Sequence, residues 1–561
     1  MPRSINHWRK TRWFVLVAIV CTAVCSRSSM AQHDVHAVAR PLERTLMIVH
    51  GSALSDAADA WAAYRLSTGW NVVVAAVPAI DDENARRHAT QRMIRDTAQR
   101  HANELFAVLL LGSTSENGIP TFMHDIRDVT LREHRVRTFA SDENYQYIND
   151  RDTRPDFPLG RIPARTFDEA MIVLEKTRRY EQQQNFGTWR RRVTFVAGEG
   201  HFGPADALLE HLFRQLVAWY VPETFDISMT YGKTSSVYCP VPGEASDTVI
   251  DRLEEGAFLF AYVGHGSTYA FDRIHCPSGS RYDMLHNNDL ASLNEQPPLA
   301  PIALLSCCNT GWFDTGDKKP SLGTALLLHP NGPIAVMAGS RPTHPYANAL
   351  RVKETCTIAF QRQTSTVGEL DLQIDRAVVQ PDAADAQLDR IAGLIARFDN
   401  WPSSLEQLRV RNPMRYNLFG DPATAIAMAD SAWNDVTFDG ATLRATMNDV
   451  EAGDAIITVE RDRLTVDQRN LTPGDPCDDP ATHDDRMRRY QAANDPVVLR
   501  QAVPWADGRL ECTIDLADLP EAAIIKIYGQ GLDSSGQVVD AWTAVKIRPG
   551  TSRRIVEDRI D

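Results

Sequence analysis

Two short apolar runs, each ending in a reactive side chain, constrain the fold of this sequence more than any other feature. Residues 257–263 (AFLFAYV) lead into His265, which lies between two glycines. Residues 302–305 (IALL) lead into the adjacent pair Cys307 and Cys308. Continuous apolar runs of this length, closed by glycine and polar residues, predict fully buried strands of a parallel sheet. Because the carboxyl ends of such strands gather at one sheet edge, an imidazole and a thiol are expected to meet there, as in cysteine-nucleophile enzymes.

The residues around this predicted pair suit acyl-transfer chemistry. Gly264 and Gly266 allow the backbone beside His265 to turn sharply and to approach a substrate closely. The backbone N–H groups of Gly266 and Cys308 are expected to face a developing oxyanion. Cys308 would attack as a thiolate and His265 would transfer protons.

The two motifs resemble those of a known peptidase family. Tyr-Val-Gly-His-Gly-Ser followed by Ser-Cys-Cys-Asn-Thr-Gly-Trp-Phe is similar to the gingipain family of secreted cysteine peptidases, whose fold is caspase-like. The nucleophile motif of that family, Cys-x-x-Gly-x-Phe, is matched from Cys308 to Phe313, whereas Cys307 would place Thr310 where the glycine belongs. The resemblance therefore implies that Cys308 is the nucleophile and Cys307 a buried neighbour. Cys307 remains the alternative nucleophile.

The resemblance also implies two functional acids. Glu199 corresponds to an acid near the catalytic histidine, where it would orient or polarise His265. Asp206, with Glu210 four residues later, matches carboxylates that line the family's pocket for a basic substrate side chain. A buried carboxylate can pair bidentately with a guanidinium group, which favours a basic P1 residue. The alternative role for Asp206 is a helix N-cap, a common use of aspartate.

The order of predicted elements indicates an α/β fold followed by a β-rich domain. Strands alternate with helical segments from residue 45, and the pattern restarts near residue 192. We predict two α/β subdomains with mainly parallel sheets, 45–188 and 189–428, and the resemblance implies that both are caspase-like with the chemistry in the second. Short β-type runs separated by Asp and Gly turns predict an immunoglobulin-like β-sandwich at 429–550, before a charged tail at 551–561.

The first 31 residues have the pattern of a secretory signal peptide. A basic segment precedes an apolar stretch from Trp13 to Cys25, and a small-x-small site ends at Ala31. The stretch is too short to span a bilayer comfortably, although an uncleaved N-terminal anchor is the alternative. We therefore predict a signal peptide at 1–31, a linker at 32–44, a secreted or periplasmic location and no membrane span in the mature chain.

The composition of the chain indicates which classes of partner it is expected to bind. The formal net charge of −14 gives no indication of nucleic-acid binding and is typical of a soluble surface. Protein or peptide substrates are expected, with no required cofactor. Asp150, Asp152 and Asp156 offer the oxygen ligands of a structural calcium ion, but EF-hand spacing is lacking and a solvated acidic loop is favoured. Because a fold does not prove an activity, the alternative function is a catalytically inactive exported binding or scaffold protein.

Overall fold

The computed structural model describes most of the chain from residue 43 onward. The predicted signal peptide, nearly all of the linker, the C-terminal tail, Asp206, Glu210, Asp150 and Asp152 lie outside the described residues. The described residues are 43–127, 136–149, 154–182, 187–199, 217, 220–294, 300–315, 319–361, 364–382, 385–399, 401–428, 433–447, 450–462, 479–515, 523–533, 536 and 538–547.

The strands of the first 420 residues build one large sheet and two small ones. They are β1 (Arg44–His50), β2 (Asn71–Ala76), β3 (Leu105–Leu111), β4 (Phe122–Asp125), β5 (Thr138–Ser141), β6 (Leu159–Ile162), β7 (Arg192–Ala197), β8 (Asp226–Tyr231), β9 (Leu259–Val263), β10 (Arg273–His275), β11 (Arg281–Asp283), β12 (Ile302–Ser306), β13 (Ala335–Gly339) and β14 (Tyr416–Phe419). Within the described residues, ten strands form the large sheet in the order β2-β1-β3-β6-β14-β13-β12-β9-β7-β8. β4 pairs with β5, and β10 pairs with β11, as small antiparallel ribbons.

The large sheet unites the two predicted α/β subdomains. Neighbouring strands are parallel except at the β13–β14 pair, which is antiparallel. β14 also pairs in parallel with β6, and this contact joins the strands of the first half to those of the second. The mainly parallel α/β architecture is therefore confirmed, with both halves sharing one continuous sheet.

Helices cover both faces of this sheet. They include α1 (Ser55–Ser67), α2 (Glu83–Arg100), α3 (Phe167–Gln182), α4 (Ala245–Glu254), α5 (Leu322–Leu328), α6 (Pro345–Gln361), α7 (Val367–Val379), α8 (Asp385–Asp399), α9 (Leu405–Arg411) and, later in the chain, α10 (His483–Asn494). Several begin at side-chain caps that the sequence supplies. The N–H of Ala85 donates to the Asp82 carboxylate ahead of α2, and Ser404 and Gln407 form a reciprocal capping box at α9.

The buried strands have apolar residues on both faces because each face packs against helices. Leu304 on β12 belongs to the core that contains Leu350 of α6, whereas its neighbour Leu305 belongs to the core that contains Leu326 of α5. All four side chains are at most 1% exposed. This packing explains the absence of polar alternation along the run at 302–305.

The C-terminal part is an antiparallel sheet consistent with the predicted β-sandwich. Its strands are β15 (Asn434–Phe438), β16 (Thr442–Thr446), β17 (Val450–Arg461), β18 (Val497–Ala506), β19 (Arg509–Thr513), β20 (Ala523–Asp533) and β21 (Val538–Ile547). They are ordered β15-β16-β19-β18-β17-β20-β21. Lys526 on β20 is 1% exposed and pairs with Asp226 at 2.8 Å and Glu460 at 2.7 Å. Since a buried charge requires partners, Lys526 fixes this domain against strand β8.

A cluster of buried carboxylates lies between the first half of the chain and helices α6 and α7. Arg351 on α6 donates hydrogen bonds to both Asp371 and Asp375 on α7. Glu143 accepts a hydrogen bond from the Tyr147 hydroxyl. Burial, together with the nearby charge of Asp375, raises the pKa of Glu143 to about 8. The guanidinium group of Arg351 is thus the shared cationic partner of Asp371 and Asp375. Glu143 holds a proton at neutral pH.

This raised pKa predicts that the folded chain loses stability as the pH rises. Below about pH 4 Glu143 is protonated in both states, whereas between about 4 and 8 only the folded state keeps the proton. The free energy of unfolding therefore falls across that window and levels off above it. Glu143→Gln, which mimics the protonated acid, is expected to remove most of this fall, since a window of three to four pKa units at ~1.4 kcal/mol per unit amounts to roughly 4–5 kcal/mol.

Urea unfolding at pH 5 and pH 9, followed by tryptophan fluorescence, measures this difference. Glu175→Gln is the matched control, because that side chain is 68% exposed on α3. The control should keep the wild-type pH dependence. A Glu143→Gln variant with the same pH dependence as the wild type would contradict the assignment of a proton to Glu143.

Candidate active site

The strands that carry the two predicted catalytic motifs are direct neighbours. β9 and β12 are parallel, with Val263 opposite Ser306. The N–H of Gly264 donates to the Ser306 carbonyl at 3.4 Å, so the segments that follow β9 and β12 leave the sheet side by side. Beyond the last paired residues, Gly266 of the histidine loop lies against Cys307 and Cys308 of the thiol loop. The loop of the histidine and the loop of the thiol therefore meet at the carboxyl edge of the sheet.

The glycines beside His265 serve close packing rather than a left-handed turn. Neither Gly264 nor Gly266 adopts a positive φ. A Cβ atom on Gly266 would lie 2.7 Å from the carbonyl oxygen of Cys308 and 2.8 Å from the Sγ of Cys307. Only glycine permits this approach, so Gly266 sets the distance between the two motifs.

The two adjacent cysteines lie in different environments. Cys307 is fully buried, and its Sγ lies 3.2 Å from the Thr310 hydroxyl. Burial raises the pKa of the Cys307 thiol well above its usual range. Cys308 is only partly buried. Because the thiolate is the reactive form, this geometry favours Cys308 over Cys307 as the nucleophile.

The turn after β12 leaves one backbone donor available. The N–H of Cys307 donates to Leu305 at 2.9 Å, that of Asn309 to Arg341 at 3.4 Å and that of Thr310 to Cys308 at 2.9 Å. Among the residues that the structure describes, the N–H of Cys308 is assigned no acceptor. Asn309 has a left-handed φ of 64° at this turn. The Cys308 N–H, with that of Gly266 on the facing loop, is suited to the predicted oxyanion role.

Tyr262, which stacks on Phe271, holds the backbone of His265. The hydroxyl of Tyr262 donates to the His265 carbonyl at 2.6 Å and accepts from the N–H of Asp272 at 2.9 Å. The Tyr262 ring stacks on Phe271 with centroids 3.7 Å apart. The His265 residue itself is exposed. His265 is thus a solvent-accessible residue on a backbone that Tyr262 holds in place.

Glu199 lies at the same edge of the sheet. It follows β7, the other neighbour of β9, and the N–H of Gly198 donates to the Val263 carbonyl at 2.9 Å. Asp272 is a second acid here, because a Cβ on Gly198 would lie 3.0 Å from its Oδ2. The sequence motifs did not single out Asp272. Its one sequence signal is its position just beyond the histidine motif.

The segment after β13 closes the other side of the thiol. The N–H of Thr343 donates to the Cys308 Sγ at 3.4 Å. Nearby, Arg341 forms a bidentate ion pair with Asp314 and lies 3.8 Å from the centre of the Trp312 ring. These contacts fix the wall beside the nucleophile loop. The roles of Thr343 and Trp312 were not predicted from the sequence.

Comparison with known proteins identifies the family. Residues 40–427 match the sequence profile of peptidase family C25. The chain belongs to family C25. Gingipain R2 from Porphyromonas gingivalis is 23% identical over 266 residues, which cover 45% of this chain and 31% of gingipain R2. The chain thus matches about a third of the length of that curated relative. An uncharacterised protein from Archaeoglobus fulgidus is 25% identical over 172 residues, 29% of this chain and 40% of that protein.

Solved structures support the same fold for this C25 chain. The Arg-specific cysteine proteinase gingipain R aligns with a TM-score of 0.50 and 15% identity, covering 90% of this chain and 99% of that structure. A structure described as a protease aligns with a TM-score of 0.52 and 12% identity, covering 90% and 97%. At these identities the likeness establishes the fold.

The remaining expectations for this C25 chain concern metals and membranes. Within the described residues, no group of three or more His, Cys, Asp or Glu side chains is arranged to hold a metal ion. Asp156 instead accepts a hydrogen bond from the N–H of Ile148 at 2.7 Å, and structural calcium stays a prediction because its partners lie outside the described part. No described helix combines the length and apolar character that crossing a bilayer requires.

Proposed function

We propose that this chain is a cysteine endopeptidase of gingipain type that uses Cys308 and His265. The observation that carries the proposal is the side-by-side exit of β9 and β12, which brings the histidine loop against the nucleophile turn. Family membership supports cysteine-peptidase chemistry. The partly buried thiol of Cys308, beside the fully buried Cys307, supports the choice of nucleophile.

The proposed reaction proceeds through an acyl-enzyme. The Cys308 thiolate attacks the scissile carbonyl, and the N–H groups of Gly266 and Cys308 hold the resulting oxyanion. His265 donates a proton to the leaving amine as the peptide C–N bond breaks. It then takes a proton from water, which attacks the thioester and releases the new carboxyl group and the thiol. Glu199 would orient or polarise His265 from the adjacent β7 loop.

A basic P1 residue is the proposed substrate preference. Gingipain R is described as Arg-specific, and Asp206 matches the family's pocket carboxylate by local sequence spacing. A carboxylate paired bidentately with a guanidinium favours arginine over neutral residues. Export is proposed as well, on the signal-like pattern of residues 1–31.

Alkylation and turnover measured together test this proposal. The purified protein is titrated with iodoacetamide at neutral pH and assayed with fluorogenic peptides that carry Arg, Lys or Ala at P1. We expect one rapid alkylation at Cys308, located by peptide mass spectrometry, with parallel loss of cleavage. Arg and Lys peptides should be cleaved at least ~10-fold faster than the Ala peptide, since a charge-assisted pair is worth roughly 1.5–3 kcal/mol.

The possible outcomes separate the two functions considered. An unreactive Cys308 and no turnover with any peptide would favour the inactive scaffold. Rapid alkylation with equal cleavage of all three peptides would retain the peptidase and remove the basic preference. Cys512, the other partly buried thiol among the described cysteines, serves as an internal reference for ordinary thiol reactivity.

A further inference from the structure

We propose that Thr343, oriented by Asn348 and Asn412, is a positioning residue that stabilises the thiolate form of Cys308. The inference rests on the proposed role of Cys308 as nucleophile and adds a partner that neither the sequence motifs nor the family assignment supplies. It concerns the side of the thiol opposite to the histidine loop, where the chain passes from β13 into α6.

Three polar atoms of Thr343 lie within 4 Å of the Cys308 sulfur. Its backbone N–H donates to the Cys308 Sγ at 3.4 Å, its Oγ1 lies 3.7 Å from Sγ, and its carbonyl oxygen lies 3.9 Å away. A neutral thiol can donate to the carbonyl. A thiolate has no proton to donate and instead accepts from both the N–H and the hydroxyl. Because hydrogen bonds to a charged acceptor are stronger than neutral ones, this arrangement favours the thiolate.

The amide of Asn348 directs the Thr343 hydroxyl toward the sulfur. Asn348 Nδ2 donates to Thr343 Oγ1 at 2.8 Å. A hydroxyl that accepts from an amide keeps its own proton for another acceptor, and Sγ is within reach. The orientation of the Asn348 amide is itself fixed, since its Oδ1 accepts from the Tyr416 hydroxyl at 2.9 Å and from Asn412 Nδ2 at 3.2 Å.

A second amide holds the backbone of the same segment. Asn412 Oδ1 accepts from the N–H of His344, the residue after Thr343, at 2.6 Å. Asn412 is fully buried, and Thr343 is only 5% exposed. A Cβ on Gly339 would lie 2.8 Å from the Thr343 methyl group, so the side chain is packed as well as hydrogen-bonded. The two asparagines and this contact leave Thr343 little freedom to move away from the sulfur.

Other titratable groups face Cys308 and must be separated from the effect of Thr343. The loop that carries His265 contacts the cysteine turn through Gly266, and Cys307 precedes Cys308 on that turn. Tyr262 and Tyr416 act on Cys308 through their charge when ionised. Burial raises the pKa of both tyrosines well above neutral, so they stay uncharged below pH 10. A variant that removes only the Thr343 hydroxyl changes none of these groups.

The decisive measurement is the pH profile of Cys308 alkylation. Thr343→Val removes the hydroxyl and keeps the methyl that packs on Gly339, whereas Thr343→Ser restores the hydroxyl. We expect Thr343→Val to slow alkylation at pH 6 by about tenfold, because a hydrogen bond to the charged sulfur is lost, and to match the wild type at pH 10. Thr343→Ser should return the profile to that of the wild type. Thr357→Val, on α6 away from the site, is the matched control, because its hydroxyl donates only to the Lys353 carbonyl.

Asn348→Ala provides an independent variant that leaves Thr343 intact. Losing the amide that directs the hydroxyl should slow alkylation at pH 6 by about threefold, less than losing the hydroxyl itself. Superimposable profiles for wild type and Thr343→Val, with Cys308 reactive in both, would overturn the inference. A wild type that fails to cleave peptides but shows the shifted Thr343→Val profile would keep the inference and remove the proposed function. A Cys308 that is unreactive at every pH would remove both.

Discussion

Replacing Cys308 with alanine is expected to lower kcat/KM for peptide cleavage by at least ~1,000-fold, whereas Cys307→Ala should lower it by less than ~10-fold. The larger figure follows from the loss of covalent catalysis, which removes most of the rate enhancement of nucleophile-dependent hydrolases. The smaller figure follows from geometry. Cys307 is fully buried, its sulfur contacts Thr310, and its thiol has a strongly raised pKa.

Cys307→Ala should lower the free energy of unfolding and leave the rate of peptide cleavage nearly unchanged. Deleting a buried sulfur leaves a small cavity, which typically costs about 1 kcal/mol. Steady-state assays and thermal unfolding of both variants, beside the wild type, measure these opposite outcomes. Retained activity in Cys308→Ala together with inactivity in Cys307→Ala would move the nucleophile to Cys307 and contradict the environment that the structure gives that residue.

The strand-end motifs could be predicted because their signals are local. Each apolar run packs between two helical layers, so its composition alone indicates a buried strand. Parallel strands end at a common edge, and this rule predicted that the loops of His265 and Cys308 approach each other. The structure adds the reason for the glycine at 266, which is contact with the cysteine turn rather than a special φ.

Long-range pairing was beyond the reach of local patterns. The single sheet depends on β14 inserting between β6 and β13, with Phe419 paired to Arg161. Nothing in the sequence around either residue specifies a partner more than 250 positions away. For the same reason the two halves looked like separate units in the sequence, while the structure places their strands in one sheet.

Site residues without a motif were also missed. Thr343 reaches the sulfur only because β13 lies next to β12 and the chain then folds back into α6. Asp272 joins the site through its backbone contact with Tyr262. Each depends on tertiary placement, and a threonine or an aspartate in a loop has many commoner uses. Helix α10 was likewise absent from the β-rich prediction, although its Tyr490 hydroxyl lies 2.7 Å from that of Thr230 on β8.

Adding one methyl group at Gly266 is expected to lower kcat/KM by about 100-fold. The new Cβ would lie 2.7 Å from the Cys308 carbonyl and 2.8 Å from the Cys307 sulfur, distances that real Cβ atoms do not tolerate. The histidine loop must therefore move away from the nucleophile turn. A displacement of about 1 Å in a catalytic group commonly costs ~100-fold in rate, and the crowding should also destabilise the fold by roughly 1–3 kcal/mol.

Two further variants show whether that loss comes from the contact itself. Gly243→Ala is the matched control, since its Cβ would meet no atom closer than 3.7 Å and should leave kcat/KM unchanged. Combining Gly266→Ala with Cys307→Ala removes the clash with sulfur but not the clash with the Cys308 carbonyl, so activity should recover only in part. Full activity in Gly266→Ala would mean that the two loops do not touch in solution as they do here. Because His265 would reach the thiol only through the approach of these loops, that result would also remove the geometric support for the proposed dyad.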